Sequence, residues 1–170
     1  MNHLWTPWRM PYLQGEEPLP DECLFCIKPQ GEDAAAHIVH RGHLCYVLLN
    51  RFPYNNGHLM IVPYKHVATL ERLKCECTTE LMALCQLSLQ VLREAYHPQG
   101  FNVGMNIGAA AGAGVVNHIH LHVVPRWGGD TNYMTTLGKT RIIPEWIDQT
   151  YAQLRPLFEQ MSQTSTETDR

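Results

Sequence analysis

Two short hydrophobic runs in the first half of the chain predict a pair of β-strands. The runs Leu44–Asn50 and His58–Tyr64 flank the seven-residue segment Arg-Phe-Pro-Tyr-Asn-Asn-Gly, whose Pro, Asn and Gly residues favour turns. A connection this short joins neighbouring antiparallel strands. The pattern therefore predicts the first hairpin of an antiparallel sheet.

The second half of the chain predicts another pair of strands. Phe101–Ile107 and His118–Val124 are rich in apolar residues, and the Gly- and Ala-rich loop GAAAGAGVVN connects them. This second hairpin carries three histidines on its last strand. Polar and apolar residues alternate in that strand, as they do in strands with one buried face.

Two further segments have helical spacing. Apolar residues recur at helical intervals over residues 78–96, with Thr78 as the predicted N-cap and Pro98 placed to end the helix. A C-terminal helix is predicted over residues 144–161, followed by a polar, frayed tail over residues 162–170. Hairpins combined with helices are typical of an α+β fold with an antiparallel sheet.

Composition predicts one compact domain over residues 1–170. Hydrophobic residues make up 45% of the 170 positions and charged residues 17%. A segment of about residues 1–36, rich in Pro, Gly and acidic residues, is predicted to be irregular. A net charge of -3 and a pI near 6.3 argue against nucleic acid and anionic membranes as partners. Small ligands remain open. Without a signal-peptide pattern or an apolar spanning segment, we expect a cytoplasmic protein.

The central sequence His118-Ile119-His120-Leu121-His122 contains the candidate chemistry. In a strand the three histidines share one face, and the apolar residues between them share the other. Two interpretations compete: a metal site formed by three histidines, or a nucleophilic imidazole supported by its neighbours. Residues two apart on a strand are separated by roughly 6.5 to 7 Å, so a straight strand brings two histidines to one ion but not three.

The stretch HIHLHVVPRW resembles the motif of the histidine triad (HIT) family of nucleotide hydrolases and transferases. The resemblance extends through FNVGMNIGAAAGAGVVN, LLNRFPYNNGHLMIVPYKH and LWTPWRMPYL, and so covers most of the chain. The WTPWRMPY start, the NNGH turn and the PRWGGDTN tail look most like bacterial diadenosine tetraphosphate phosphorylases and related hydrolases. The resemblance implies a HIT-like α+β fold with about five antiparallel strands, one long helix and a C-terminal helix. It also implies assembly as a homodimer or a larger homo-oligomer.

The resemblance also implies catalytic roles for two histidines. His120 attacks the α-phosphorus of an adenine nucleotide, such as diadenosine tetraphosphate, and forms a covalent nucleotidyl-imidazole intermediate that water or phosphate resolves. His122 donates to a phosphate oxygen or assists the departing group. Two other functions remain open. They are a metal-dependent hydrolase with the triad as ligands and a nucleotide-binding module without catalysis.

The expected substrate contacts come from the loop before the triad and from strand ends. Small residues in the loop, including Gly112 and Gly114, allow backbone N–H groups to approach phosphate, although tight packing also explains them. By resemblance, Asn50 and Asn106 lie near the sugar or phosphate, with ordinary turn capping as the alternative. Asn117 is a further candidate for phosphate, because relatives use a hydroxyl or amide from this loop that this sequence lacks between residues 107 and 117.

The pair Cys23-Leu-Phe-Cys26 predicts a structural zinc site. By resemblance, His66 and His118 complete the site, which would hold the triad strand in place; a reduced, metal-free pair is the alternative. We expect reduced thiols throughout, with Cys45 and Cys85 buried and inert. For His58, a structural role is weighed against a role supporting the triad.

Overall fold

The structure, a computed structural model, describes residues 22–131, 137 and 145–168. Its centre is a five-stranded antiparallel sheet with the strand order β1-β2-β3-β5-β4. The strands are β1 (Ile38–Arg41), β2 (Cys45–Leu49), β3 (Leu59–Pro63), β4 (Gly100–Met105) and β5 (Leu121–Arg126). The predicted α+β class and both predicted hairpins are confirmed.

Four α-helices accompany the sheet in the described residues. They are α1 (Leu24–Ile27), α2 (Asp33–Ala36), α3 (Cys75–Tyr96) and α4 (Ile147–Thr168). The first two lie in the segment that was predicted to be irregular. Residues 1–21, which include the LWTPWRMPYL segment, are outside the described residues. No described helix is long and apolar enough to span a membrane.

Helix α3 begins earlier than its sequence pattern predicts. Its N-cap is Lys74, which makes no capping bond through its side chain. The predicted N-cap Thr78 is wrong, because its hydroxyl lies within the first turn and donates to the carbonyl of Cys75 at 2.9 Å. The helix ends as predicted at His97, whose left-handed conformation (φ 47°) precedes Pro98.

Helix α4 extends beyond its predicted C-terminal end. It begins at Ile147 and continues to Thr168, past the predicted end at residue 161 and through most of the tail that was expected to be frayed. Among its described side chains, Leu154 and Phe158 are fully buried in the cluster shared with the sheet and α3. The predicted start at residue 144 lies outside the described residues.

The sheet buries both of its faces. One face packs against α3 and α4 through side chains that include Val47, Leu59, Ile61, Leu121 and Val123. The opposite face carries a second apolar cluster, formed by Phe25, Ala36, Ile38, Tyr46, Leu48, Met60 and Val62. His122 is paired with Met60 on β3 and with Gly104 on β4, so its side chain lies on this second face. The predicted separation of Leu121 and Val123 from His122 is confirmed.

Candidate active site and metal site

The triad is held at the start of β5 by the segment that follows β3. The strand predicted from His118 begins only at Leu121. Residues before it leave the regular ladder, and the N–H of Ile119 donates to the carbonyl of Val67 at 2.7 Å. His118 Nε2–H likewise donates to the carbonyl of Pro63 at 2.8 Å. These two bonds hold the backbone at Ile119 and the ring of His118 against the end of β3 and the segment after it.

His120 has a free nitrogen suited to nucleophilic attack. Its Nδ1 lies 2.8 Å from the carbonyl oxygen of His118. Because a carbonyl oxygen only accepts, Nδ1 carries the hydrogen, and the lone pair of the neutral ring is on Nε2. Burial lowers the pKa of His120, against the opposing effect of that carbonyl. The ring is therefore neutral at pH 7, as a nucleophile requires.

His122 has the opposite tautomer, and His58 is the cause. The backbone N–H of Tyr54 donates to His58 Nδ1 at 3.0 Å, so the hydrogen of neutral His58 is on Nε2. That Nε2–H donates to His122 Nδ1 at 2.9 Å. His122 consequently carries its own hydrogen on Nε2. Of the two roles weighed for His58, support of the triad is the one this contact indicates.

The hydrogen on His122 Nε2 is available to a ligand. This nitrogen is buried and has no hydrogen-bond partner within the described part of the chain. Burial and the neighbouring His120 lower the pKa of His122 to about 4. Burial and then His122 lower the pKa of His58 to about 3. Both rings are therefore neutral donors near pH 7, and a buried donor without a partner indicates a site for an acceptor atom.

His120 and His122 lie side by side, and each contacts a further aromatic ring. Phe25, in the knuckle formed by Cys23-Leu-Phe-Cys26, lies 4.9 Å from the His120 ring and 5.6 Å from the His118 ring, measured between centroids. Tyr54 lies 5.8 Å from the His122 ring at the other end. Sequence reasoning missed both aromatic residues, because only their neighbours in the chain, the cysteine pair and the loop before His58, carried a signal.

The glycines of the loop before the triad face open space. A Cβ atom added at Gly108, Gly112 or Gly114 would meet no atom within 4 Å, so tight packing does not explain them. Gly108 and Gly112 have positive φ angles of 83° and 84°, which glycine adopts at little cost. The loop thus combines a glycine-dependent conformation with room for a ligand.

The three asparagine candidates occupy different environments. Asn50 accepts from the N–H of Phe52 at 2.9 Å and lies 3.3 Å from His58 Nδ1, so its amide caps a turn and contacts His58. Asn106 directly follows Met105, the last residue of β4, which pairs with Leu121 at the start of β5. Asn117 is exposed in the glycine loop.

The two cysteines of the knuckle and two histidines form a four-donor cluster. Cys23, Cys26, His66 and His118 each present one ligand atom, and these atoms all lie within 4.8 Å of one another. The Sγ atoms of Cys23 and Cys26 are 3.2 and 3.6 Å from His118 Nδ1. Cys26 Sγ is also 3.4 Å from His66 Nδ1. The structure brings together all four residues predicted from the sequence.

These donors suit zinc. Tetrahedral zinc with its usual bond lengths places sulfur and nitrogen ligands about 3.5 Å apart, close to the observed separations. The bond from His118 Nε2–H to Pro63 leaves the Nδ1 lone pair directed at the cysteines, an outer hydrogen bond that zinc-binding histidines commonly make. In contrast, neither His120 nor His122 belongs to a metal-ligand cluster among residues 22–131, 137 and 145–168.

Comparison with known proteins agrees with this geometry. The family model of the HIT domain matches residues 32–129. A protein named AP-4-A phosphorylase from Mycobacterium tuberculosis is 44% identical over 158 residues, covering 88% of this chain and 80% of that protein. A zinc-bound histidine triad family protein from Mycobacterium smegmatis superposes with a TM-score of 0.68 at 28% identity, covering 84% of this chain and 97% of the other.

A second solved structure has the same fold. A hypothetical histidine triad nucleotide-binding protein from Sulfolobus tokodaii gives a TM-score of 0.66 at 25% identity, and the match covers 82% of this chain and 94% of the other. The HIT model covers more than half of this chain, and both solved structures share its sheet and helices. From its sequence, its fold and its triad geometry, the protein belongs to the HIT domain family.

Proposed function

We propose that the protein is a nucleotidyltransferase that cleaves adenine dinucleoside polyphosphates, with diadenosine tetraphosphate as the first candidate. His120 Nε2 attacks the α-phosphorus, the new P–N bond forms, and the bond from that phosphorus to the bridging oxygen breaks. His122 Nε2–H donates to the departing phosphate oxygen, where negative charge develops. ATP leaves, and AMP remains attached to His120.

The observation that carries this proposal is the opposite tautomers of two adjacent buried rings. His120 presents a lone pair on Nε2, because its Nδ1–H is bound to the His118 carbonyl. His122 presents an N–H on Nε2, because His58 donates to its Nδ1. A nucleophile and a hydrogen-bond donor thus lie side by side, with ring centroids 4.8 Å apart. In-line displacement at phosphorus needs this pair of groups.

The glycine loop and the asparagines are the proposed substrate contacts. An added Cβ atom at Gly112 or Gly114 meets open space, and backbone N–H groups of this loop would bind phosphate oxygens. Asn106 and Asn117 would supply side-chain amides. Asn50 would position His58 through their contact. It is also a proposed contact for the sugar or phosphate.

The second half of the reaction releases AMP from His120. Either water or inorganic phosphate attacks the phosphorus, and the P–Nε2 bond breaks. Water yields AMP and phosphate yields ADP. The phosphorylase name of the M. tuberculosis relative favours phosphate as the acceptor.

Zinc is the proposed structural metal, bound by Cys23, Cys26, His66 and His118. It would supply a rigid cross-link between the N-terminal knuckle, the segment after β3 and the triad. Since the His118 carbonyl accepts from His120, fixing His118 also fixes the orientation of the nucleophile. A cytoplasmic location, where thiols stay reduced, suits this site.

We also propose a homodimer formed through β4. This strand is at the edge of the described sheet, and Val103 on it is 44% exposed. An open edge strand with an exposed apolar residue favours pairing with a second copy. Light scattering should give a dimer mass for the wild type and a monomer mass for Val103→Lys.

Product analysis from diadenosine tetraphosphate tests the reaction. Purified protein is incubated with the substrate, with and without inorganic phosphate, and the nucleotides are separated by chromatography. ATP and ADP formed only with phosphate would establish a phosphorylase, and AMP and ATP without phosphate a hydrolase. Acid quenching followed by mass spectrometry should detect AMP on the peptide that contains His120.

The same experiment separates the competing functions. His120→Gly should abolish both turnover and the adduct. Turnover without an adduct, lost on chelation, would instead support a metal-dependent hydrolase. Nucleotide binding without any turnover would support a binding module.

A further inference from the structure

Tyr54 is an exposed aromatic side chain in contact with the candidate active site. It lies in the loop between β2 and β3, and 42% of its surface is exposed. Its ring centroid is 4.7 Å from the His58 ring and 5.8 Å from the His122 ring, with interplanar angles of 36° and 32°. Part of the ring thus packs on the two imidazoles while the rest faces solvent.

The backbone on both sides of this ring is anchored. The N–H of Tyr54 donates to His58 Nδ1 at 3.0 Å. The next residue, Asn55, is buried, and its amide donates to the Pro125 carbonyl at 3.0 Å and to Asp130 at 2.8 Å. The ring therefore has a defined position relative to His122, which reduces the entropy lost when a ligand stacks on it.

The rings that Tyr54 contacts indicate which part of a substrate it would bind. Phe25 contacts His118 and His120, at the end occupied by the nucleophile. Tyr54 contacts His58 and His122, and His122 is the proposed donor to the departing oxygen. Since the departing oxygen would lie at His122, the leaving group begins next to a ring that Tyr54 contacts and Phe25 does not.

We propose that Tyr54 is a specificity-determining residue that stacks on the purine base of the leaving nucleotide. The inference rests on the proposed function and adds a preference for a leaving group that ends in a nucleoside. Aromatic rings bind every base through its π-face, so this contact selects for the presence of a base more than for its identity. Rotation about the single bonds of the polyphosphate and ribose allows the base of the leaving group to reach the Tyr54 ring.

The test compares two substrates that differ only at the far end of the leaving group. Diadenosine tetraphosphate releases ATP, whereas adenosine 5′-tetraphosphate, attacked at the same α-phosphorus, releases triphosphate without a base. The measured quantity is the ratio of kcat/KM for the first substrate to kcat/KM for the second. In Tyr54→Leu this ratio should fall about 10-fold or more relative to the wild type, because base stacking is lost. Tyr54→Phe, which keeps the ring, should retain the wild-type ratio.

Each outcome has one meaning. A Tyr54→Leu ratio within about 2-fold of the wild-type value, whether or not both rates fall together, would overturn the inference, since it would reduce Tyr54 to packing on His58 and His122. A fall in the ratio that Tyr54→Phe shares would also overturn it, because the hydroxyl and not the ring would be responsible. A wild type that cleaves neither substrate would refute the proposed function itself. Thermal melting of both variants checks that they are folded.

Discussion

His58 Nε2–H donates to His122 Nδ1 across 2.9 Å, and this bond determines which nitrogen of His122 faces the substrate with a proton. His58 is 1% exposed and receives the N–H of Tyr54 on its other nitrogen, so it has no alternative tautomer that keeps both bonds. The proton that His122 offers to a phosphate oxygen is therefore set by a histidine 64 positions away in the chain.

Replacing His58 should reduce the rate of the chemical step. His58→Phe preserves an aromatic ring but removes the donor to His122 Nδ1, so the His122 hydrogen is free to move away from Nε2. We expect kcat to fall about 10- to 100-fold, the range typical of such supporting hydrogen bonds, with a much smaller change in KM. Steady-state kinetics with diadenosine tetraphosphate measure both constants. The exposed His43, changed to Phe, is the matched control. A His58→Phe kcat within 2-fold of the wild type would contradict the role of His58 in fixing the tautomer of His122.

Stability should decrease as the pH falls from 6.5 toward 4. The pKa of His58 is lowered to about 3 and that of His122 to about 4, from an ordinary value of 6.5. At pH values between the ordinary pKa and these lowered pKa values, the unfolded state binds protons that the folded state does not. Acidification therefore favours unfolding. Each histidine then costs about 2 kcal/mol of unfolding free energy at pH 5 relative to pH 7.5.

Urea denaturation at both pH values measures this effect. The difference between pH 7.5 and pH 5 should be smaller in His58→Phe than in the wild type by about 2 kcal/mol, since one of the two groups is gone. Any loss of metal at low pH is common to both proteins and cancels in the comparison. Equal pH dependence in the two proteins would show that His58 does not remain neutral in the folded state.

The alternation of the triad strand was predictable because it is local. Leu121 and Val123 enter the helix-covered core, and His122 lies on the other face, as a period of two requires. The start of α3 was not predictable from capping, since Lys74 makes no capping bond through its side chain. Short strands such as β1 carry too few residues to show a period.

The role of His118 depended on contacts that no local pattern contains. Its ring bonds to Pro63 and lies against Cys23, a residue 95 positions earlier in the chain. The family resemblance identified this pairing, and spacing alone did not. His58 and Tyr54 were harder still, because their contacts with His122 follow from the pairing of Met60 with His122 across two strands.

Removal of zinc should weaken the fold more than it weakens catalysis. We expect about one zinc per chain in the wild type and its loss in Cys26→Ser, as measured by mass spectrometry of the metal. The melting temperature should fall with it, because the cross-link to the N-terminal knuckle is lost. Turnover should decrease but persist, since His120 and His122 are not ligands. Cys75→Ser, which changes an exposed thiol outside the cluster, is the control and should keep its zinc. Complete loss of turnover on chelation, with the fold retained, would favour a catalytic metal instead.

A methyl group at Gly114 should impair catalysis without destabilising the protein. A Cβ atom there meets no neighbour within 4 Å, and the backbone is outside the left-handed region, so Gly114→Ala should change the unfolding free energy by no more than about 0.5 kcal/mol. The same methyl group occupies the space through which phosphate is proposed to reach the loop, so kcat/KM should fall by about 10-fold or more.

Gly100→Ala is the matched control, because its added Cβ is equally free of contacts but lies on β4 at the far end of the ladder from the triad. Chemical denaturation and steady-state kinetics of both variants measure the two effects. If Gly114→Ala and Gly100→Ala had the same kcat/KM, phosphate would have to bind away from this loop, through Asn106 or other side chains.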